Sequence, residues 1–224
     1  MKPTDILGNI KLYNADCMEV MKTFKDKQSE LAIIDPPYGI GEDGSKNHTR
    51  GKLAAPKNYK PYSGNDKEPP PTDYFKELFR ISKNQIVWGA NHYISRLPFD
   101  SSCWIVWDKD NGASDFADCE LAYTSFNTAV RKFKWRWQGM LQQNMKNKQE
   151  RIHPNEKPVQ LYKWLLQNYA KEGDTILDTH FGSLSIGIAC HDMKFDLTAI
   201  ELDKDYYEQA KQRLINHQRQ LTLF

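Results

Sequence analysis

Asp35-Pro36-Pro37-Tyr38 is the segment of this sequence best equipped for chemistry. It follows the apolar run 31–34, so a carboxylate, a rigid carbonyl and an aromatic ring leave the end of a buried strand together. Two consecutive prolines fix φ and hold the carbonyl directions of the turn. Such a group suits an aromatic amine. The lone pair of that amine is delocalised into its ring and makes a poor nucleophile. Two acceptors that grip the amino hydrogens favour a pyramidal nitrogen and free the pair. The tyrosine offers a face on which a base can stack.

Two further segments supply what a nucleoside cofactor would need. Asp178-Thr179-His180-Phe181-Gly182-Ser183 follows the apolar run 175–177, and Glu201 closes the run 197–200. A glycine between strand and helix lets the backbone approach a ligand closely. An acid about 20 residues farther on, at the end of the next strand, accepts hydrogen bonds from ribose hydroxyls in βαβ sites. The plainer alternative to the first segment is a capped proline turn; taken alone, the second reads as an ordinary loop and the third as a solvated acid. Together they outline a cofactor pocket beside an amine-activating site.

Strands must deliver these groups to one edge. Runs 31–34, 85–88, 103–107, 120–123, 175–177 and 197–200 read as buried strands. Pro158 opens a helix over 158–169 with Leu161, Leu165 and Tyr169 on one face. Asp203 caps another over 204–218 that aligns Tyr207, Ala210 and Leu214. Strands alternating with helices predict an α/β fold, a mostly parallel sheet covered on both faces. The 224 residues suit one domain, 1–224. Residues 39–71, rich in glycine, proline, asparagine and lysine, read as a long loop of the kind that carries function.

Net charge is only +2, so a polyanionic partner must be sought in local clustering. Lys46, Arg50, Lys52, Lys57 and Lys60 gather in the loop, and Lys132, Lys134, Arg136, Lys146, Lys148 and Arg151 in the polar stretch 132–154. That asymmetry suits phosphates; the plainer alternative is a pair of solvated loops. Cys17, Cys103, Cys119 and Cys190 lack metal-ligand spacing, so reduced packing residues and no metal are expected. His48, His92, His191 and His217 show no partner pattern and are expected on the surface or in loops. Trp88, Trp104 and Trp107 fall on strands and are expected in the core. No apolar stretch reaches the ~20 residues that span a membrane, and Met1-Lys2-Pro3-Thr4-Asp5 lacks the apolar run of a signal peptide. A cytoplasmic protein is expected.

The order of the pieces resembles the β group of S-adenosylmethionine-dependent DNA amino-methyltransferases of bacteria and phages, which methylate N6 of adenine or N4 of cytosine. In that group the Asp-Pro-Pro-Tyr segment precedes the cofactor glycine loop, as here. Asn14-Ala15-Asp16-Cys17 is similar to the acidic segment ahead of the catalytic motif. His153-Pro154-Asn155-Glu156-Lys157-Pro158 is similar to the Lys-Pro segment that leads into the helix before the cofactor strand. The resemblance spans nearly the whole chain. It implies a Rossmann-like sheet of seven strands with one antiparallel hairpin strand. It also implies that Asp35 and the carbonyl of Pro36, stiffened by Pro37, hold the target amine while Tyr38 stacks on the base. Phe181, Gly182 and Ser183, in the loop that Asp178 opens, would line the methionine side of the cofactor. Glu201 would hold the ribose, Asp16 and the Cys17 backbone would meet the adenine, and Asn155 and Lys157 would lie near the cofactor carboxylate. Leu184 stands where the family pattern often has a second glycine, which bears on how closely the backbone approaches the cofactor.

The activity implied is methyl transfer to the amino group of an adenine flipped out of double-stranded DNA. Asp35 favours adenine, because N4-cytosine relatives more often carry serine there; N4-cytosine methylation and a non-catalytic DNA-binding relative are the alternatives. Lys46, Arg50, Lys52, Lys132, Lys134 and Arg136 are then expected against phosphates. Residues 125–152 remain for target recognition, a small surface that reads a short site or shares the task within a homodimer. The terminal Gln220-Leu221-Thr222-Leu223-Phe224 resembles the Gln-Leu-x-Leu-Phe peptide that docks bacterial replication and repair proteins on the sliding clamp. Gln220, Leu221, Leu223 and Phe224 would make that contact; a tail folded onto its own domain is the alternative.

Overall fold

Leu31, Ala32, Ile33 and Ile34 are all buried, so their strand must be covered on both faces. Leu31 and Ile33 join one apolar cluster, Ala32 and Ile34 another. Pleating sends successive side chains to opposite faces, and here each face has its own core. A computed structural model describes residues 1–41, 66–112, 117–137, 141–153 and 155–221.

The elements run β1 (Asp5–Leu7), β2 (Ile10–Asn14), α1 (Cys17–Met21), β3 (Ser29–Ile34), α2 (Thr72–Ile81) and β4 (Ser82–Trp88). They continue with β5 (Trp104–Asp108), β6 (Cys119–Thr124), β7 (Arg131–Lys134), α3 (Val159–Tyr169), β8 (Thr175–Asp178), α4 (Ser185–Met193), β9 (Asp196–Glu201) and α5 (Lys204–Leu221). The strands form one sheet in the order β1-β2-β9-β8-β3-β4-β6-β5-β7. Among the described residues the sheet has nine strands, the expected seven and two more. The middle seven, β2 to β5 in that order, contain a single reversed strand, β6, antiparallel to both β4 and β5. The two extra strands are edges: β1 folds back antiparallel on β2, and β7 adds parallel to β5. Neither is visible in an apolar pattern, because β1 has three residues and β7 buries only Phe133.

On one face, Leu161 and Leu165 of α3, Ile186 and Ala189 of α4 and Leu214 of α5 pack on Ile33, Ile86 and Trp88. On the other, Val20 of α1 and Phe75 and Leu78 of α2 pack on Ile34, Val87 and Ile200. Helix α2 is not among the expected elements, although Tyr74, Phe75, Leu78 and Ile81 carry a helical stripe directly behind three prolines. Asp203 caps α5 as expected, its Oδ1 accepting from the amides of Asp205 at 2.8 Å and Tyr206 at 3.1 Å. His191 and His217, expected on the surface or in loops, are half-buried on α4 and α5, where His217 pairs with Asp192 at 2.6 Å. Trp88 and Trp107 are core, whereas Trp104 is half-buried; Cys119 is exposed.

Candidate active site

β3, β8 and β9 are parallel neighbours, so Asp35, Asp178 and Glu201 leave the sheet at the same edge. From β3 the chain moves to β4 on one side, and from β8 to β9 on the other. The β3/β8 boundary is therefore a topological switch point, where open α/β sheets bind ligands.

Asp35 sits there in a tight polar cluster. Its Oδ1 accepts from the Tyr38 hydroxyl at 2.6 Å, and its Oδ2 from Lys157 Nζ at 2.5 Å. The same Nζ donates to the Tyr38 hydroxyl at 3.1 Å and ion-pairs with Glu120 Oε2 at 3.1 Å. Lys157, expected beside a cofactor carboxylate, thus bonds to the Asp35 carboxylate. Its side chain is 4% exposed against 17% for Asp35, so an incoming ligand meets Asp35 while Lys157 acts from behind. Burial pushes the Asp35 carboxyl above the ordinary carboxylate range; the Lys157 charge opposes that shift and the Glu120 charge adds to it. Burial also works against the Glu120 charge, but Lys157 and Lys109 outweigh it and hold that group at about 2.

The rest of the turn is fixed from two directions. Asp66 Oδ1 accepts from the amides of Tyr38 at 2.6 Å and Gly39 at 3.0 Å. The Asp66 carbonyl accepts from Gly41 at 2.9 Å, so Gly39, Gly41 and Asp66 are tied together beneath the Asp35–Tyr38 turn. The Tyr38 ring lies over Gly89, where a Cβ would come within 2.1 Å of it, and stacks on His92 at 5.3 Å between centroids. Gly89 has φ +69°, so glycine there serves both the backbone and the ring.

Beside this, the loop after β8 is tied to β9. Glu201 Oε2 accepts from Gly182 N at 3.0 Å and Oε1 from Asp203 N at 2.9 Å. Each oxygen keeps a lone pair for a hydroxyl donor. Asp16 caps α1, accepting from Met18 at 2.7 Å and Glu19 at 3.3 Å. Cys17 Sγ faces His180 Nε2 at 3.9 Å; burial pushes that thiol up to about 12, so it is no nucleophile. Burial likewise raises Asp178 to about 8, a carboxyl that accepts from His180 N at 3.0 Å. Leu184 adopts φ 56°, ψ 31° and is wholly buried over Gly187, whose Cβ would lie 2.6 Å from it. The left-handed backbone that a glycine would supply is kept, and the leucine side chain turns into the core.

A family model described as DNA methylase matches residues 55–212. The chain belongs to the DNA methylase family. The type II methyltransferase M.HpaI of Haemophilus parainfluenzae is 24% identical over 91% of this chain and 74% of its own. M2.MboI of Moraxella bovis is 23% identical over 92% of this chain and 87% of its own. Among solved structures, the M1.HpyAVI–SAM complex superposes with a TM-score of 0.55 at 19% identity, covering 91% of this chain and 99% of that one. The PvuII DNA methyltransferase, cytosine-N4-specific, gives 0.60 at 13% identity over 96% and 93%. These two likenesses show the fold.

Other expected site residues of the methylase divide in two. Gly182 lies at the open edge with Glu201, beneath His153. Phe181 is buried and tilts against Tyr207, while the Ser183 carbonyl accepts from Arg213 at 2.8 Å, so these two hold the loop from behind. Asn155 is exposed, its amide bonded to His153 Nδ1 at 3.2 Å. Lys132, Lys134 and Arg136 are on or just past the edge strand β7, but each faces an acid. Lys132 is 3.5 Å from Asp108, and Lys134 and Arg136 are 2.9 and 2.6 Å from Asp110. Lys46, Arg50 and Lys52 lie outside the described residues. Sequence reasoning missed Glu120, Asp66 and Gly89. Glu120 had a signal, an acid inside a strand pattern that is otherwise apolar.

Proposed function

We propose that this methylase transfers the methyl group of S-adenosylmethionine to the exocyclic amine of an adenine flipped out of double-stranded DNA. The observation that carries the reading is the Asp35 carboxylate at the switch point, held by Tyr38 and Lys157 and still reachable from outside. The donor set fits the cofactor: a buried carboxylate, Glu201, with spare lone pairs for ribose hydroxyls, and the half-buried Gly182 bonded to it. Asp16 and the Cys17 backbone border the adenine side. When bound, S-adenosylmethionine supplies a methyl group made electrophilic by its sulfonium.

The chain's own work is acceptance and orientation. Asp35 and the Pro36 carbonyl accept the two amino hydrogens and localise the nitrogen lone pair. Tyr38 stacks on the base, and Asp66 fixes the turn that aims both. Losing such a positioned polar group costs ~10²–10³ in rate. Asp35→Ala is expected to abolish transfer with the fold intact. Labelled cofactor, mixed DNA and mass spectrometry of the digested nucleosides identify the product; N4-methylcytosine, or normal turnover by Asp35→Ala, overturns the reading.

The clamp-docking peptide belongs to the same proposal. Gln220 and Leu221 are the last residues of α5, and Leu223 and Phe224 lie outside the described residues. Docking would raise the effective concentration of a methylase with a small recognition surface on newly made DNA in the cytoplasm. Titration with purified bacterial clamp should show binding by the wild type and none by Leu223→Ala with Phe224→Ala; no wild-type binding removes the proposal.

A further inference from the structure

Glu120 has no part in gripping an amine, yet it reaches from β6, two strands away from β3, into the Asp35 cluster. Its Oε1 pairs with Lys109 and its Oε2 stands 3.1 Å from Lys157 Nζ without a hydrogen bond. What it offers Lys157 is therefore charge more than direction. Lys157 is clamped: Asp35, Tyr38 and Glu120 surround its Nζ, and the rings of Tyr38 and Trp88 lie 5.6 and 5.5 Å away.

We propose that Glu120 and Lys157 are positioning residues for methyl transfer, Glu120 balancing the Lys157 charge so that the Asp35 carboxylate stays aimed and available to the target amine. The inference rests on the reading of Asp35 as the amine acceptor. As the N–C bond forms and the S–C bond breaks, the sulfonium leaves as a neutral thioether and the amine becomes positive until it releases a proton to solvent. An uncompensated ammonium 2.5 Å from its acceptor would oppose that charge in a dry site. Glu120 offsets it from the far side, where it cannot compete for the amine. Lys109, 19% exposed at the outer end, holds the other oxygen of Glu120 and is partly screened by water.

The groups that face Asp35 are Tyr38 from its own turn, Tyr93 after β4, Glu120 from β6, Lys157 before α3, Tyr162 from α3 and Asp178 from β8. Burial raises all three tyrosines, so they stay neutral in the working range. Burial raises Asp178 to about 8, so below that value it is protonated, and two charges remain whose removal acts on Asp35 in opposite directions: Lys157 lowers its pKa and Glu120 raises it.

The test is the pH profile of single-turnover transfer with DNA and cofactor saturating. Glu120→Gln should shift the acid limb to lower pH, and Lys157→Met should shift it to higher pH, each by about 1 unit or more. The Glu120→Gln plateau should drop by up to about 10²-fold, the cost of misplacing a reacting group by about 1 Å. DNA affinity should stay unchanged in both. Repeating the profiles with Asp178→Asn in the background keeps the second buried acid out of the limb. If Lys157→Met does not fold, Glu120→Asp, which keeps the charge, should restore the limb that Glu120→Gln moves. Limbs that stay put, or move the same way, overturn the proposal. An active Asp35→Asn would instead overturn the reading beneath it.

Discussion

Gly89→Ala concentrates several features of the site in one methyl group. The added Cβ would lie 2.1, 2.4 and 2.5 Å from Cε1, Cδ1 and Cζ of Tyr38, against an ordinary carbon contact of about 3.5–4.0 Å. The ring must retreat by more than about 1 Å. It cannot do so freely, because its hydroxyl is bonded to Asp35 and Lys157 and its other neighbour is the His92 ring. A non-glycine residue at φ +69° costs about 1–2 kcal/mol. Overpacking adds about 1–3 kcal/mol, so the total is about 2–5 kcal/mol. Displacing the ring proposed to stack on the base by ~1 Å should slow transfer about 10²-fold. Urea denaturation and methyl incorporation measure the two effects. A double-mutant cycle with Tyr38→Ala isolates the ring. In that background Gly89→Ala should cost only the backbone share, giving a coupling of about 1–3 kcal/mol. Equal costs in both backgrounds would refute the claim that Gly89 is there for Tyr38.

Two further outcomes follow from the charges. Replacing Lys132, Lys134 and Arg136 with glutamine should reduce the salt dependence of DNA binding, but by less than about 0.9 per residue on a log–log plot, because Asp108 and Asp110 already offset them. Asp110→Asn should strengthen binding; anisotropy titrations across salt that show no change in slope for the triple variant would move the DNA path elsewhere. Burial, aided by the Lys157 charge, pushes His153 down from 6.5 to about 4. Between those values the unfolded chain binds a proton that the native histidine refuses. Its stability contribution is whole above about 6.5 and falls by about 1.4 kcal/mol per pH unit down to about 4. His180 is pushed down likewise. His153→Gln should therefore flatten the acid slope of urea stability and leave the His180 share; an unaltered slope would contradict the burial argument.

Local pattern carried much of this. Apolar runs and turn residues act over a few positions, so the strands behind Asp35, Asp178 and Glu201, the Pro158-led helix and the Asp203 cap could be placed from the sequence alone. The order of the segments fixed the kind of chemistry, since each motif is contiguous. What the sequence could not determine was who touches whom across the sheet. Lys157 meets Asp35 across 122 residues, Glu120 arrives from a reversed strand, and Asp66 reaches back under Tyr38 across 28 residues. Those pairings follow from strand order and burial, which sum many weak contacts over the whole chain. The tertiary structure also decided charge: an isolated Lys134 or Arg136 reads as a phosphate contact until the neighbouring strand end brings Asp110 beside it. Dielectric and distance set the strength of a charge, and both exist only once the chain has folded.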